Sequence, residues 1–269
     1  MKIVVTGASG LLGSRLLHIL SKKHNVIGTY FKNKQNNSIK LDLNNASDTY
    51  NTISAINPDI VIHCAYKTEN PEQNVYNMTK NIYTASKNIS AKFVFLSTDL
   101  VFDGEQGNYA ETSIPTPITK YGKWKYKAEG LIDTNPDIIV RTSLIYSRHT
   151  AASHEKFIIR NLKNNEKVPL FYDSFRCPIL DDDLSLCIAK LIDIDFSGIM
   201  HIAGPQKISR YDFALFLAKW RNYDTRLFDP ISVTHSKNHI PKDCSLNITK
   251  FTKTCGIMPR SVTEVFNNV

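Results

Sequence analysis

A tyrosine and a lysine four positions apart can act together in proton transfer, because a helix places both side chains on one face. A free tyrosine has a pKa of about 10 and exchanges protons poorly at neutral pH, whereas a nearby lysine ammonium lowers that pKa. The sequence contains the pairs Tyr30/Lys34, Tyr76/Lys80, Tyr83/Lys87 and Tyr121/Lys125. The spacing alone therefore does not identify a functional pair.

The residues that precede Tyr121 and Lys125 distinguish this pair from the others. Residues 93–96 form an apolar run typical of a buried strand, and Ser97 and Thr98 follow it directly. Ligands of an open parallel sheet bind at the carboxyl ends of its strands, so we expect Thr98 to lie where chemistry occurs. Its hydroxyl would donate a hydrogen bond to a substrate carbonyl oxygen, while Tyr121 transfers a proton. We therefore predict a site that reduces a ketone or oxidises an alcohol, with Thr98, Tyr121 and Lys125 as catalytic residues.

A glycine-rich turn near the N-terminus predicts where a hydride-carrying cofactor binds. Gly7, Gly10 and Gly13 lie between the first predicted strand (3–5) and the first predicted helix (11–23). Gly7 permits a tight turn, Gly10 lets backbone N–H groups approach a pyrophosphate, and Gly13 lets the helix pack closely on the sheet. The helix N-terminus adds roughly half a positive charge. The predicted dinucleotide contacts of this turn are Gly7, Ser9, Gly10, Leu11, Leu12 and Gly13.

The residues after the second predicted strand (26–28) indicate which dinucleotide binds. An NAD site usually carries an acidic residue here, which holds the ribose hydroxyls. Residues 29–34 contain no acid but include Lys32 and Lys34, and Arg15 lies on the first predicted helix. Cationic groups suit a 2′-phosphate, so we predict NADPH as the cofactor, with NADH as the alternative. The predicted contacts at this end of the cofactor are Arg15, Tyr30 and Lys32.

The composition is that of a globular protein. The chain has 269 residues, of which 42% are hydrophobic and 22% charged, and this mixture excludes collagen-like and wholly disordered chains. No apolar run approaches the roughly 20 residues of a membrane helix, and glycine-rich sequence begins at Gly7, too early for a signal peptide. The five cysteines form no C-x-x-C pair, which favours free thiols in a reducing compartment. We therefore predict a cytoplasmic protein without membrane contact.

The net charge of +8, from 33 basic and 25 acidic residues, would suit an anionic partner. The basic residues are dispersed, and no zinc-finger, RNP or basic-zipper pattern accompanies them, so nucleic acid is not a predicted partner. A small molecule that carries phosphate fits the same charge. The eight histidines lack a metal-ligand spacing, which predicts no metal site, and His63 is expected to be an ordinary core residue.

Short apolar strands alternate with helices over much of the chain. The predicted strands cover residues 3–5, 26–28, 39–43, 60–62, 93–96, 138–140 and 199–202. The predicted helices cover residues 11–23, 47–56, 72–90, 119–134, 155–163, 182–192 and 209–220. This alternation predicts an α/β fold with a Rossmann-type doubly wound parallel sheet, covered by helices on both faces. The regions 164–180 and 221–243 are predicted to be irregular.

The alternation loosens after residue 148, which predicts a change of domain. We predict a dinucleotide-binding Rossmann domain over residues 1–148, to which segments near 178–203 return, and a smaller α/β substrate-binding part over residues 149–269. No internal repeat or long linker separates independent units.

Several segments, spread from the first strand to the C-terminus, match a known family. These are residues 6–13, 97–104, 121–129, 141–146, 241–246 and 255–261. The chain resembles the extended short-chain dehydrogenases/reductases and, within them, the dTDP-4-dehydrorhamnose reductase family. The most specific segment is Ser-Thr-Asp-Leu-Val-Phe-Asp-Gly at 97–104, which generic members of the larger family do not usually carry.

The resemblance implies NADPH-dependent reduction of the C4 ketone of a nucleotide-linked 4-keto-6-deoxy-L-hexose, with Thr98, Tyr121 and Lys125 as the catalytic trio. It leaves open whether the nucleotide is dTDP or UDP and whether C2 carries a hydroxyl or an acetamido group. The further cofactor contacts it implies are Asp42, Leu43, Cys64, Ala65, Tyr66, Ser97, Tyr121 and Lys125, of which Lys125 holds the ribose. The substrate contacts it implies are Asp99, Val101 and Phe102 at the sugar, and Arg176 and Lys242 at the nucleotide diphosphate.

The chain departs from the family at Tyr66, since a second alanine usually follows Cys-Ala at this point. The same fold and motifs also resemble the regulatory beta subunit of methionine adenosyltransferase, which binds NADP and serves a partner enzyme. A non-catalytic NADP-binding role is therefore the alternative function, and turnover of a 4-keto sugar nucleotide distinguishes the two. A homodimer is compatible with either function.

Overall fold

The structure, a computed structural model, describes residues 1–66, 71–236 and 238–267. The chain folds into two compact units, each of which draws on separate stretches of the sequence. The first unit comprises Met1–Thr98, Lys120–Arg141 and Ser185–Met200, and the second comprises Asp99–Thr119, Thr142–Leu184 and His201–Val269. The domain boundary at residue 148 stays a prediction.

Strands and helices alternate along the described residues. The strands are β1 (Lys2–Thr6), β2 (Asn25–Tyr30), β3 (Ser38–Lys40), β4 (Ile60–His63), β5 (Lys92–Thr98), β6 (Ile138–Thr142), β7 (Ile145–Tyr146), β8 (Val168–Phe171), β9 (Phe175–Arg176), β10 (Ile179–Leu180), β11 (Gly198–His201), β12 (Ile208–Ser209) and β13 (Phe228–Ile231). The helices are α1 (Leu11–Leu20), α2 (Ala46–Ile56), α3 (Pro71–Asn88), α4 (Lys120–Glu129), α5 (Ser153–Lys163), α6 (Asp181–Ile192), α7 (Arg210–Arg221), α8 (Thr249–Cys255) and α9 (Val262–Asn267).

A central sheet organises the first unit. Within the described residues it has seven strands, in the order β11-β6-β5-β4-β1-β2-β3. The pairs β1/β2, β1/β4, β2/β3 and β4/β5 are parallel. Ile3, Val4 and Val5 of β1 are fully buried, as expected for a parallel strand covered on both faces. The strand order reverses between β1 and β4, which places a ligand-binding crevice at their carboxyl ends. The predicted Rossmann-type α/β fold is confirmed.

The predicted elements of this unit differ from the observed ones mainly at their ends. The third strand was expected over 39–43, but β3 ends at Lys40, and Leu41 and Leu43 are buried outside the sheet. α4 was expected to continue to residue 134 but ends at Glu129. Gly130 follows it, and the Asp133 carboxylate then accepts from the Asn135 N–H at 3.0 Å, which forms a local turn instead of another helical turn.

The second unit contains short strand pairs and helices around three apolar clusters of its described residues. Its pairs are β10/β7, β12/β9 and β13/β8. β8 and β13 lie in regions that the sequence predicted to be irregular, so this part of the prediction was wrong. Both strands contain a proline, at 169 and 230, and a strand of this length becomes recognisable only through its distant partner.

The described residues contain neither a membrane-spanning helix nor a metal-binding cluster. No helix among them is both long enough and apolar enough to cross a membrane. No group of three or more histidine, cysteine, aspartate or glutamate side chains within the described ranges is arranged to hold a metal ion.

Candidate active site

Thr98, Tyr121 and Lys125 all lie in the first unit, on β5 and α4. Thr98 is the last residue of β5, Tyr121 is in the first turn of α4, and Lys125 lies one turn later. Thr98 and Lys125 are buried, at 7% and 6% exposure, and Tyr121 is half-buried. The sequence is thus folded so that the predicted tyrosine–lysine pair shares one helical face, and the threonine ends a buried strand of the same unit.

Lys125 joins α4 to β5. Its Nζ donates a hydrogen bond to the Leu96 carbonyl oxygen at 2.7 Å and lies 4.5 Å from the centroid of the Phe95 ring. Burial lowers the pKa of Lys125 to about 8, while interactions with Cys64 and Glu129 oppose this shift. Lys125 therefore still carries a positive charge at neutral pH, beside the strand that ends at Thr98.

The residues after β4 approach the same helix. The Tyr66 and Tyr121 rings contact each other edge to face, with their centroids 5.3 Å apart. Burial raises the pKa of the Cys64 thiol to about 12, an effect that the Lys125 charge only partly offsets, so Cys64 stays protonated at neutral pH. The departure from the family at Tyr66 therefore lies directly against the predicted catalytic tyrosine.

The glycine-rich turn lies between β1 and α1, as predicted. Gly7 has a positive φ of 69°, and a Cβ atom there would lie 2.7 Å from the Ala65 Cα. A Cβ atom on Gly13 would lie 2.2 Å from the Gly7 carbonyl oxygen. α1 begins at Leu11 after Gly10, and within its described first turn no acidic side chain is present and no side chain caps the N–H groups. These N–H groups are available to an anion such as a pyrophosphate, so the residues present fit a dinucleotide.

A buried hydrogen-bond chain connects the strand ends beside this turn. Thr6 Oγ1 lies 2.7 Å from His63 Nδ1 and accepts from the Ala65 N–H at 3.2 Å, and Thr79 Oγ1 lies 3.3 Å from His63 Nε2. Burial lowers the pKa of His63 to about 3, and the Lys125 charge acts in the same direction, so the ring is neutral. His63 is the core residue that the sequence predicted, and it links Thr6 of β1 to Thr79 of α3.

The remaining predicted cofactor contacts lie near the carboxyl ends of β2 and β3. Tyr30 ends β2, Lys32 is exposed in the following turn, and Arg15 is half-buried on α1. Asp42 accepts a hydrogen bond from the Asn44 N–H at 3.1 Å and so supports the turn that leads to α2. The cofactor contacts of Arg15, Tyr30, Lys32, Asp42 and Leu43 stay predictions.

The predicted sugar contacts belong to the second unit. A single 3-10 turn covers Asp99–Val101, and Phe102 follows it. Val101 and Phe102 are fully buried, and the Phe102 ring stacks on Tyr109 with the centroids 4.1 Å apart. Because these two side chains pack in the core of the unit, their contact with a sugar stays a prediction.

Asp99 and Arg176, which were predicted to bind different parts of the substrate, pair with each other. Arg176 donates from Nε and Nη2 to the two Asp99 carboxylate oxygens, and the Ser143 hydroxyl donates to Asp99 Oδ2 at 2.6 Å. The Asp99 side chain is fully buried and that of Arg176 is 12% exposed. The guanidinium charge of Arg176 is thus balanced within the protein, whereas Lys242 is exposed. Their roles at a diphosphate stay predictions.

The second unit also contains a pocket that the sequence did not predict. The Arg210 guanidinium lies there 5.7 Å from the centroid of the Phe171 ring, and no carboxylate among the described residues pairs with it. Burial, with the nearby charge of Arg176, lowers the pKa of Arg210 to about 10. The pocket is lined by Leu144, His154, Phe157, Ile158, Pro169, Leu170, Phe171, Arg210, Phe213, Ala214 and Leu217.

His154 places a second polar group in this pocket. Its Nε2 is buried and has no hydrogen-bond partner among the described residues. Burial lowers the pKa of His154 to about 3, and the charges of Arg210 and Arg176 act in the same direction, so the ring is neutral. The pocket therefore offers one cation and one neutral imidazole between aromatic rings. No local sequence signal marks these residues, because Arg210 and His154 come together only through the packing of α5 and α7 around β8.

Comparison with known proteins gives the family. The whole chain, residues 1–269, matches the RmlD substrate binding domain family. The chain belongs to this family. The resemblance to dTDP-4-dehydrorhamnose reductases is thereby confirmed, together with the class of enzyme, an oxidoreductase.

Curated relatives of this family member include reductases from an archaeon and a bacterium. The probable low-salt glycan biosynthesis reductase Agl14 of Haloferax volcanii is 31% identical over 79% of this chain and 78% of its own. The dTDP-4-dehydrorhamnose reductase of Aggregatibacter actinomycetemcomitans is 27% identical over 100% of this chain and 98% of its own. Methionine adenosyltransferase 2 subunit beta of Pongo abelii is 23% identical over 97% of this chain and 84% of its own.

A solved structure extends the comparison to the fold. The dTDP-4-dehydrorhamnose reductase of Bacillus anthracis, crystallised in complex with NADP, superimposes with a TM-score of 0.84. It is 27% identical, and the match covers 99% of this chain and 97% of that one. NADP(H) is also the cofactor predicted here from the lysines after β2.

Proposed function

We propose that this RmlD-family protein is a nucleotide-sugar 4-ketoreductase, which uses NADPH to reduce the C4 ketone of a nucleotide-linked 4-keto-6-deoxy-L-hexose. One observation carries the proposal. Lys125, one helical turn after Tyr121, is fixed to the Leu96 carbonyl oxygen on the strand that ends at Thr98. A charged lysine beside a tyrosine and a strand-end hydroxyl is the arrangement that proton transfer to a ketone oxygen requires.

NADPH, when bound, supplies the hydride that reaches C4. The Gly7–Gly13 turn and the N-terminus of α1 would hold its pyrophosphate. Tyr121 donates its phenolic proton to the oxygen on which negative charge develops. The Lys125 ammonium stabilises the tyrosinate that remains, and the Thr98 hydroxyl donates a hydrogen bond to the same substrate oxygen.

The pocket around Arg210 supports a nucleotide-linked substrate. A pyrimidine base has flat faces that stack on aromatic rings and carbonyl oxygens that accept from a guanidinium. Phe171 and Arg210 offer these two groups in one pocket, and the neutral His154 imidazole can add a further hydrogen bond. Because thymine and uracil share these carbonyl oxygens, these groups do not distinguish dTDP from UDP.

The decisive experiment measures turnover with several sugars. NADPH oxidation is followed with freshly generated dTDP- and UDP-linked 4-keto-6-deoxy-L-hexoses, including the 2-acetamido form. Tyr121→Phe should reduce kcat by roughly 10²–10⁴-fold, the scale of one general acid, while NADPH still binds. Tyr126→Phe, which changes an exposed tyrosine of the same helix, is the matched control and should keep full activity. Wild-type rates in Tyr121→Phe would contradict the proposal.

The alternative function is an NADP-binding regulatory subunit, favoured by the similarity to the methionine adenosyltransferase subunit over almost the whole chain. Tight NADPH binding without turnover of any of these sugars would favour it, and the next step would be a pull-down with a methionine adenosyltransferase catalytic subunit. A homodimer stays a prediction in both cases, and sedimentation of the purified protein tests it.

A further inference from the structure

Glu129 is a buried carboxylate that takes no direct part in the proposed proton transfer. It lies at the last position of α4, one turn after Lys125 and on the same helical face. Its side chain is only 4% exposed, and that of Arg141, its ionic partner on β6, is 2% exposed. A charged pair buried this deeply destabilises the folded state unless the hydrogen bonds of both groups are well satisfied. The presence of this pair therefore needs an explanation.

The hydrogen bonds of Glu129 reach two strands of the sheet. Arg141 donates from Nη2 to Glu129 Oε2 at 2.7 Å and from Nε to Oε1 at 3.1 Å, so the ion pair is bidentate. The Ser97 hydroxyl donates to Glu129 Oε1 at 2.5 Å. One carboxylate therefore ties α4 both to β5, at the residue before Thr98, and to the neighbouring strand β6.

These bonds align α4 with β5. Leu96 accepts from Lys125, and the next residue, Ser97, donates to Glu129. Two contacts on successive turns of a helix fix both its rotation about its own axis and its position along the strand. The position of Tyr121 relative to Thr98 follows from this alignment, because each lies on one of the two elements.

Glu129 also acts on Lys125 through its charge. Glu129 on its own helix and Cys64, which follows β4, act electrostatically on Lys125, and the charge of Lys125 acts in turn on His63. Arg141 faces Glu129 from β6 and pairs with its carboxylate. His63 is neutral and the Cys64 thiol is protonated at neutral pH. Glu129 is thus the member of this set that carries a negative charge, and it favours the ammonium form of Lys125 against the effect of burial.

We propose that Glu129, held by Arg141 and Ser97, is a positioning residue that keeps Lys125 charged and aligned with Thr98. The proposal rests on the proposed function for its catalytic meaning, but its electrostatic part concerns the folded protein alone. A purely structural role for Glu129 would affect stability and would leave the titration of Lys125 unchanged.

The test is an NMR titration of Lys125 in protein that carries ¹³C-labelled lysine side chains, with the Lys125 signal assigned by its loss in Lys125→Arg. Glu129→Gln keeps the shape of the side chain but removes its charge. We expect the midpoint of the Lys125 titration to fall by roughly one pH unit. We also expect kcat to decrease about 10–100-fold, because the helix that carries Tyr121 is less well aligned.

A matched control separates charge from stability. Glu155→Gln disrupts another buried ion pair, that of Glu155 with Arg221 in the second unit, and should lower stability without moving the Lys125 midpoint. If Glu129→Gln does not fold, the double variant Glu129→Gln/Arg141→Met removes both charges and should shift the midpoint in the same direction but by less, because loss of the Arg141 charge partly offsets loss of the Glu129 charge. An unchanged Lys125 midpoint in whichever of these Glu129 variants folds would overturn the proposal.

The results of the Lys125 titration and of the turnover assay also distinguish a failure of this proposal from a failure of the proposed reductase function. A shifted midpoint in a protein that turns over none of the sugars would retain the electrostatic role of Glu129 and contradict the reductase. Turnover that depends on Tyr121, together with an unmoved midpoint, would retain the reductase and contradict the role of Glu129.

Discussion

A partly buried guanidinium without a carboxylate partner lowers the stability of the folded state, and Arg210 is such a group in the part of the chain that the structure describes. Arg176, close enough to lower the pKa of Arg210, instead has its charge balanced by Asp99. The cost of Arg210 is understandable if its donors bind a ligand. At the scale of single residues, Arg210 is therefore where we expect stability and substrate binding to oppose each other.

Arg210→Met separates the two effects. Methionine fills similar volume without the charge, so we expect the free energy of unfolding to stay the same or to increase. The KM for the nucleotide sugar should rise about 10–100-fold with kcat nearly unchanged, since a charge-assisted hydrogen bond to the base is lost. Urea unfolding and steady-state kinetics measure both. Arg226→Met, which removes an exposed arginine paired with Asp224, is the control, and an unchanged KM in Arg210→Met would mean that the pocket binds no part of the substrate.

The residues that the sequence could identify are those whose role depends on local spacing. Tyr121 and Lys125 share a helical face whatever the rest of the chain does, and Thr98 ends a strand that its own composition predicts. Glu129 and Arg210 carry no such signal. Their chemistry arises from partners far along the chain, Arg141 and Ser97 for the first and Phe171 for the second.

At the scale of elements, the turn between β1 and α1 depends on close backbone contact. A side chain at Gly7 would have to overcome both a left-handed φ and a distance of 2.7 Å from its Cβ to the Ala65 Cα. Ala65 is itself fixed by its N–H bond to Thr6, so neither side of the contact can move easily. The turn and the segment after β4 therefore form one rigid edge of the predicted cofactor site.

Gly7→Ala should lower the free energy of unfolding by about 2–4 kcal/mol, from the strained φ and the backbone clash together, and should abolish tight NADPH binding. Gly256→Ala provides the matched control, because Gly256 has a φ of 67° but no atom within 4 Å of a Cβ. Gly256→Ala should lower the free energy of unfolding by about 1 kcal/mol, from the strained φ alone. Thermal unfolding measures the stability of the two variants, and NADPH titration measures their cofactor affinity. Equal losses of stability in the two variants would rule out the clash with Ala65.

The elements that could be predicted from the sequence are those with a strong local period. β1, β4 and β5 are continuous apolar runs, and their buried parallel arrangement follows from that pattern. β8 is short and contains a proline, and it exists because it pairs with β13. A pairing between residues so far apart leaves no periodic signal in either segment, which is why the second unit was predicted less well than the first.

At the scale of the whole molecule, buried neutral histidines make stability depend on pH. His63 in the first unit and His154 in the second have a pKa of about 3 in the folded state, against 6.5 in an unfolded chain. Between these two values the unfolded chain binds protons that the folded protein does not. The stability is therefore complete above about pH 6.5 and decreases as the pH falls below it.

We expect the free energy of unfolding to fall by roughly 4 kcal/mol between pH 7 and pH 5, about half of it from each histidine. Urea unfolding at a series of pH values measures the loss. His63→Gln and His154→Gln should each remove about half of the slope, and His235→Gln, at an exposed position, should leave it unchanged. A stability that does not vary over this range would contradict the burial of both rings in their neutral form.

The first unit is assembled from stretches that end at Thr98, Arg141 and Met200, and this order matters during synthesis on the ribosome. The outermost strand, β11, emerges only after residue 198, long after its neighbour β6 has been made. Until then β6, whose five residues are all buried in the folded protein, forms the exposed edge of the nascent sheet and can pair with other chains. A gene fragment that stops at residue 148 would make this exposure permanent, so a soluble cofactor-binding fragment has to retain the stretch up to residue 200.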